Sequence, residues 1–206
     1  MRYTWPKKKL CKREWVNLFW TEKYDLSKSN TNFRPKKLSE YWLQLRKKQL
    51  AKRMYGISEK QFLWYYKKAS NSKWNWTTWE KMLSLLELRL DNVVYRANFA
   101  RTRMQSRQFV WHAHFKLNWV KVDVPSISLK VWDVIELRDK LKESPLYKDL
   151  IEELNEFSKQ NKWVVSKTKW IEVDPKNIKI TIKALPGNDD FDQIIDIQKI
   201  IEFYSK

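Results

Sequence analysis

The chain has 206 residues, with 42 Lys and Arg against 24 Asp and Glu, one cysteine, 13 tryptophans and two glycines. Its apolar runs are all shorter than the ~20 residues of a membrane-spanning helix, and residues 1–9 lack the apolar core of a secretion signal, so a membrane or secreted protein is not expected. A single cysteine, Cys11, permits neither an internal disulfide nor a multi-cysteine zinc site.

The positive charge is concentrated in the first 130 residues. Residues 1–80 carry a net charge of +14 (20 basic, 6 acidic), residues 81–130 carry +6 (9 and 3), and residues 131–206 carry −2 (13 and 15). So many positive charges close together repel one another and destabilise the folded chain unless a polyanion neutralises them. Nucleic acid is therefore the expected partner, with a solubilising basic surface as the alternative. A membrane surface is disfavoured because the basic stretches form no long amphipathic face.

Residues 1–37 show little periodicity and are predicted to form a basic arm that is ordered mainly by its partner. A helical domain is predicted at residues 38–90. Its three helices each follow a serine or threonine that can cap them: Ser39 to about Tyr55, Ser58 to about Ala69, and Thr77 to about Leu90. Gly56 stands where a helix-ending glycine is usual.

The second half is predicted to mix short helices and strands. After a helix through Tyr95, Thr102 caps a helix to about His112, and apolar residues then alternate around Asn118 and Trp119 as in a tight hairpin. The later predicted elements are a strand Val134–Leu137, a helix Tyr147–Ser158, and strands Trp170–Val173 and Ile178–Ile182. The predicted class is α+β, a basic helical N-terminal domain plus a small mixed α/β module with an antiparallel sheet. The module is assigned to residues 91–155, and strands and a tail that complete the fold to 156–206.

Cationic side chains concentrate on one predicted helix and on the hairpin after it. Arg103 and Arg107 are four residues apart and project from one helix face, and Arg101 precedes the N-terminus of that helix. Guanidinium groups along one edge suit bidentate contacts with phosphate. With Lys116 and Lys121 on the hairpin they predict a clamp for a folded RNA backbone, although a solvated basic helix would give the same pattern.

The same stretch carries a family resemblance. Residues 88–134, LRLDNVVYRANFARTRMQSRQFVWHAHFKLNWVKVDVPSISLKVWDV, closely resemble the RNA-binding module of bacterial small-subunit ribosomal protein four. The likeness extends to the segments MRYTWPKKKLCKRE, SEYWLQLRKKQLAKRMYGISEKQF, and WIEVDPKN with IIEFYSK. It covers nearly the whole chain and is weakest at residues 147–169 and 185–195.

The resemblance implies a structural, non-enzymatic protein of the small ribosomal subunit in the cytoplasm. It implies a primary binder of 16S ribosomal RNA that acts early in subunit assembly, contributes to decoding accuracy, lies near the messenger RNA entry channel, and neighbours small-subunit proteins five and three. The RNA-facing residues that it implies are Arg101, Arg103, Arg107, Gln108, His112, His114, Lys116 and Lys121 in the module, and Lys7, Lys9, Lys12, Arg13, Arg46, Lys47 and Arg53 in the arm and helical domain. Some relatives hold a metal with four cysteines in the arm. Only Cys11 of that set is present here, so neither a metal nor another cofactor is expected.

The chain has many more tryptophans than glycines, the opposite of ordinary proteins. Glycine is ordinarily about 7% of residues and tryptophan is among the rarest. Trp119 follows Asn118 in the predicted hairpin turn, where Asn-Gly is the favoured pair. The family pattern has glycine at Trp5, Trp15, Trp42, Trp76, Trp79, Trp119 and Trp132. We interpret these tryptophans as glycines of the natural protein. In this interpretation the gene uses UGA as a glycine codon, and UGA has been translated as tryptophan. The alternative is genuine tryptophans that stack on bases.

Two other classes of function are considered. The triplet Arg89-Leu90-Asp91 is similar to the catalytic aspartate motif of pseudouridine synthases, which would make the chain an RNA-modifying enzyme. Here the triplet precedes the module and too few residues follow for a catalytic domain, so Asp91 is better explained as a cap or as a salt-bridge partner of an arginine. The other class is a free-standing single-strand binder that uses its aromatic residues.

Overall fold

A computed structural model describes residues 6–14, 16–19, 39–72, 76–149, 152, 169–174, 177–192 and 194–205. The chain divides into two compact units: a helical unit, Met1–Trp79 with Asp192–Lys206, and a mixed unit, Glu80–Phe191. The boundaries drawn from the sequence, after residues 37, 90 and 155, stay predictions. Across the described residues, every helix is too short or too polar to span a bilayer.

Helices and antiparallel strands make up the described fold. The helices are α1 (Lys7–Glu14), α2 (Glu40–Met54), α3 (Glu59–Ser70), α4 (Thr78–Glu87), α5 (Leu90–Arg96), α6 (Arg103–Trp111), α7 (Asp139–Lys142), α8 (145–149) and α9 (Ile197–Ser205), with a 3-10 turn at Asn188–Asp190. The strands are β1 (Phe115–Leu117), β2 (Val120–Lys121), β3 (Val134–Leu137), β4 (Ile171–Asp174) and β5 (Lys179–Ile182). They form one sheet of order β2-β1-β3-β5-β4, and each neighbouring pair is antiparallel. The predicted α+β class is confirmed.

Local signals set the bounds of α2 and α3. The Ser39 hydroxyl oxygen accepts the N–H of Trp42 at 3.4 Å, and that of Ser58 accepts the N–H of Gln61 at 3.3 Å. Past the end of α2, Gly56 has φ +63°, the N–H of Gly56 donates to the carbonyl of Arg53, and the N–H of Ile57 donates to that of Lys52. These bonds define a Schellman motif, so α2 stops where the sequence predicts.

Helix α1 corrects, for residues 7–14, the prediction that the arm is ordered mainly by its partner, because contacts within the chain order this segment. Leu10 and Cys11 are buried, and the Glu14 side chain, only 3% exposed, accepts ion pairs from Arg46 at 3.3 Å and from Arg53. Tertiary contacts therefore stabilise a helix of eight residues, which is too short to be stable on its own. Of the predicted arm, the segments 1–5, 15 and 20–37 lie outside the described residues.

Helix α9 packs on α2 in the helical unit. Gln44 donates from Nε2 to the Glu202 carboxylate at 3.1 Å across 158 positions of sequence. The Lys48 ammonium lies 4.2 Å from the centroid of the Phe203 ring. The Tyr204 hydroxyl donates to Glu59 on α3 at 2.9 Å. Residues far apart along the chain thus complete one small helical core.

The core of the mixed unit joins the sheet to α5 and α6. Strands β3 and β5 alternate half-buried and buried residues, which places Ile135 and Leu137 beside Ile180 and Ile182 in the core with Val93 of α5. The predicted strands match β3, β4 and β5 to within one residue. Of the helix predicted at 147–158, residues 147–149 and 152 are helical and the others lie outside the described residues.

One predicted helix ends earlier than expected. The sequence predicts a helix from Thr77 to about Leu90, but α4 ends at Glu87 and a new helix begins at Leu90. The reason is a backbone contact with a distant segment. The carbonyl of Leu88 accepts the N–H of Leu129 and the N–H of Leu90 donates to the carbonyl of Ile127, both at 2.9 Å. These bonds compete with continuation of the helix.

Candidate nucleic-acid interface

The start of α6 is fixed by its own side chains. The Thr102 hydroxyl oxygen accepts the N–H of Gln105 at 3.2 Å, and the Gln105 side-chain oxygen accepts the N–H of Arg101 at 2.9 Å. This reciprocal arrangement resembles the predicted capping box, with the second bond moved one residue upstream. Ser106 and Val110 are buried, so the opposite side of α6 presents cationic and polar residues to solvent.

Arg103 on α6 is held by two residues of α5. Its Nε donates to the Asn92 side-chain oxygen at 3.0 Å, and its guanidinium carbon lies 4.5 Å from the centroid of the Tyr95 ring. Asn92 donates from Nδ2 to the buried Glu87 carboxylate at 2.6 Å, and that carboxylate also accepts two bonds from Arg96, at 2.9 and 2.7 Å. Because Glu87 accepts from the amide nitrogen, the amide oxygen is directed at Arg103.

Arg107 lies next to a buried ion pair. Arg89 donates to the Asp91 carboxylate from Nε at 3.0 Å and from Nη2 at 2.7 Å. The Arg107 Nη1 lies 3.6 Å from the same carboxylate, and 37% of its side chain is exposed. The Ser106 hydroxyl donates to the carbonyl of Asp91, which ties α6 to α5. Asp91 is therefore a salt-bridge partner of arginine, one of the two roles expected from the sequence.

The two histidines differ in their surroundings. His112 is exposed at the end of α6, whereas His114 stacks on Phe109 at 5.2 Å and places Nδ1 2.7 Å from the Tyr147 hydroxyl oxygen. Burial, with the positive charges of His112 and Arg138, lowers the pKa of His114. This shift favours the neutral form of the His114 ring, which lies between Phe109 and Tyr147. In the part of the chain that the structure describes, His, Cys, Asp and Glu side chains form no group suited to a metal ion.

The hairpin places two lysines opposite each other. Lys116 on β1 pairs in register with Lys121 on β2. The Lys116 ammonium donates to the Asp139 carboxylate at 2.6 Å, and Lys142 contacts the same carboxylate at 2.9 Å. The hydrogen bond from Lys116, followed by that from Lys142, holds the pKa of Asp139 well below its usual range. Such exposed pairs contribute little to stability, so Lys116 can exchange Asp139 for a phosphate at small cost.

The remaining candidate residues lie in the helical unit. Lys7, Lys9, Lys12 and Arg13 are on α1, and Lys9 and Arg13 are exposed. On α2, Lys47 is half-buried, whereas Arg46 and Arg53 are paired with Glu14. These two arginines therefore have an internal partner that the sequence did not suggest.

Sequence reasoning missed the residues that orient the arginines. Glu87, Asn92, Tyr95 and Glu14 were not singled out, although each contacts a predicted site arginine or its partner. The sequence contains a weak indication of the Arg103 contacts: Asn92 and Tyr95 are three residues apart, so they lie on the same face of α5. The contact of Glu14 with α2 has no local signal, since 32 and 39 positions separate it from its two partners.

Comparison with known protein families covers both sets of candidate residues. Residues 2–87 match the family described as "Ribosomal protein S4/S9 N-terminal domain", and residues 88–135 match the S4 domain. The second match includes α5, α6, β1 and β2, and with them the eight candidate residues of the mixed unit. By class, the chain is an RNA-binding ribosomal protein with an S4 module.

Full-length relatives make the assignment more specific. The chain is 40% identical over 218 residues to small ribosomal subunit protein uS4 of Heliobacterium modesticaldum, 41% over 217 residues to that of Thermotoga petrophila, and 39% over 218 residues to that of Clostridioides difficile. Each comparison covers 100% of this chain and 99% of the relative. The chain belongs to the ribosomal protein S4 family, whose members are structural proteins of the small ribosomal subunit and not enzymes. The resemblance inferred from the sequence is confirmed.

Proposed function

We propose that this chain is a structural constituent of the small ribosomal subunit in the cytoplasm and binds 16S ribosomal RNA through its S4 module. One observation carries the proposal: Arg103 is oriented by Asn92 and Tyr95 on the cationic side of α6. A long cationic side chain that binds phosphate loses conformational entropy because it becomes fixed. A guanidinium that the protein already holds in place loses less entropy on binding than a mobile one.

The proposed mechanism is recognition without chemistry. The guanidinium groups of Arg101, Arg103 and Arg107 bind phosphates of a folded RNA, and Lys116 and Lys121 on the hairpin contact the backbone beside them. Structured RNA is read largely through shape, phosphates and 2′-hydroxyls, which suits a rigid helix beside a hairpin. The full proposed RNA-binding set is Lys7, Lys9, Lys12, Arg13, Arg46, Lys47, Arg53, Arg101, Arg103, Arg107, Gln108, His112, His114, Lys116 and Lys121.

Family membership supports finer parts of the proposal. We propose that the chain binds 16S RNA early and nucleates subunit assembly. In the finished subunit it lies near the messenger RNA entry channel, contacts small-subunit proteins five and three, and contributes to decoding accuracy. Cryo-electron microscopy of the subunit from the source organism tests these placements, and a position remote from the channel would contradict them.

Binding measurements test the RNA interface directly. Affinity for the 5′ domain of 16S RNA is measured over a range of salt and compared with that for a 23S RNA fragment of equal length. We expect a preference for the 16S RNA, and Arg103→Ala should weaken binding and reduce the slope of log K against log salt by about one. The control is Lys183→Ala, an exposed lysine paired with Glu172 outside the candidate set. Equal affinity for both RNAs would refute the proposed function.

A further inference from the structure

The hairpin turn between β1 and β2 has a backbone that favours glycine. Leu117 and Val120 are paired across the turn, and the two residues between them, Asn118 and Trp119, have φ +46° and +67°. Positive φ at both central positions defines a type I′ turn, in which Asn-Gly is the favoured pair. The asparagine is present and the glycine is replaced by the bulkiest side chain. Trp119 is also 78% exposed, so its ring gains little packing to offset the backbone strain.

A second turn shows the same substitution. The N–H of Asp133 donates to the carbonyl of Lys130 at 3.2 Å, which closes a four-residue turn with Trp132 at its third position and φ +74°. A type II turn requires positive φ at that position, hence glycine. The sheet fixes this geometry, because the N–H of Trp132 donates to the carbonyl of Ile182 at 2.8 Å. The Trp132 side chain is 74% exposed.

Other residues with positive φ show what makes these two unusual. Ala113 and Ile178 have φ +53° and +48°, but their side chains are 4% and 1% exposed, so burial offsets the cost of the conformation. Gly56, with φ +63°, is a glycine. Trp119 and Trp132 alone among the described residues combine positive φ with a large ring that is mostly exposed.

The composition of the whole sequence also indicates that tryptophan stands at positions suited to glycine. It has 13 tryptophans and two glycines, whereas glycine is normally about 7% of a protein. Tryptophan is usually well buried, yet Trp42, Trp64, Trp76, Trp111, Trp119 and Trp132 are exposed. Among the described tryptophans only Trp170 is buried, at 1% exposure in the core of the mixed unit.

We infer that positions 119 and 132 of the native protein are glycine, because its gene uses UGA as a glycine codon and the printed tryptophans come from reading UGA as tryptophan. Trp170 is a genuine tryptophan encoded by UGG. Stacking on RNA bases would explain exposed rings, but it places no demand on φ and so does not explain their location at glycine positions of two turns. This inference is independent of the proposed function.

Mass spectrometry of the protein purified from ribosomes of its own organism tests the inference. Peptides spanning positions 119 and 132 should have the mass of glycine at both, and the peptide spanning position 170 should have that of tryptophan. The last peptide is the internal control, because it shows that tryptophan is retained where the fold uses it. Tryptophan mass at position 119 or 132 would overturn the inference.

A recombinant experiment tests the physical premise. In the printed sequence expressed with tryptophan at these positions, Trp119→Gly and Trp132→Gly should each raise the melting temperature by about 2 to 4 °C, because strain at positive φ is relieved. The matched control is Trp111→Gly, which removes a ring that is 68% exposed from the helical backbone of α6 and should lower the melting temperature. If all three substitutions lowered it, the turns would not favour glycine and the premise would be wrong.

Discussion

Arginine side chains in this protein have two kinds of partner. On α2, Arg46 and Arg53 neutralise the buried Glu14 carboxylate and so hold α1 in place. On α6, Arg103 donates to the uncharged amide of Asn92 and lies over the ring of Tyr95. Residue type alone does not separate these cases, and for that reason sequence reasoning placed all three arginines in one RNA-binding set.

Asn92→Ala should separate the orientation of Arg103 from its charge. The variant keeps the guanidinium but removes the amide that directs it, so RNA affinity should fall while the salt slope stays close to that of the parent chain. Arg103→Ala should lower both. Since Asn92 is buried and bonded to Glu87, the variant should also lose about 1 to 3 kcal/mol of stability in urea denaturation. Unchanged RNA affinity in a folded Asn92→Ala variant would mean that Asn92 does not position Arg103.

Glu14→Gln should destabilise the helical unit. The substitution leaves Arg46 and Arg53 beside a neutral amide, and we expect a loss of about 1 to 3 kcal/mol in the free energy of unfolding, followed by urea denaturation. Glu143→Gln, at an exposed position, is the control and should change the free energy by less than about 0.5 kcal/mol. An equal effect of the two variants would show that the Glu14 pairing is not stabilising.

At the scale of elements, local signals predicted the helices that begin at Ser39, Ser58 and Thr102, and the hydroxyl of each caps its helix. Two features that the sequence did not predict, helix α1 and the early end of α4, depend on contacts between distant residues. Helix α1 depends on burial of Leu10 and on pairing of Glu14 with a later helix. The early end of α4 depends on backbone bonds to residues 127–129. Periodicity and caps are read from short stretches of sequence, which do not contain residues tens of positions apart. For that reason neither α1 nor the end of α4 could be predicted.

The contact between α2, α3 and α9 should make stability depend on acid pH. Burial alone would raise the pKa of Glu59, but hydrogen bonds from Lys48, Lys52 and Tyr204 lower it to about 2, from an ordinary value of 4.5. A lowered pKa in the folded state gives stabilisation that is complete above pH 4.5 and is lost as the pH falls towards 2. The melting temperature should therefore decrease over this range, and Glu59→Gln should flatten that decrease.

The control for this measurement is Glu172→Gln, which removes an exposed carboxylate of the mixed unit paired with Lys183. Its melting temperature should follow the parent chain between pH 4.5 and 2. A Glu59→Gln variant with the same acid decrease as the parent would show that the hydrogen bonds of Glu59 do not link α9 to α2 and α3 energetically.

For the whole molecule, the sequence predicted a basic helical part and a mixed part, and it placed the excess of positive charge in the first 130 residues. It did not predict that residues 194–205 would belong with the helical part. The segment IIEFYSK is amphipathic, which indicates that one face of α9 is buried but not which partner covers it. The partner became visible only in three dimensions, through Gln44 and Glu59.

The return of α9 to α2 has a consequence for biosynthesis. Translation makes α2 early, yet its partner Glu202 is added 158 codons after Gln44. Residues 80–191, by contrast, are contiguous, so the mixed unit can close while the nascent chain is still growing. The helical unit cannot be completed earlier than the addition of residues 203 and 204, because Phe62 packs against Tyr204 and Lys48 lies over the ring of Phe203. The order in which the two units mature is thus the reverse of the order in which they begin to be made.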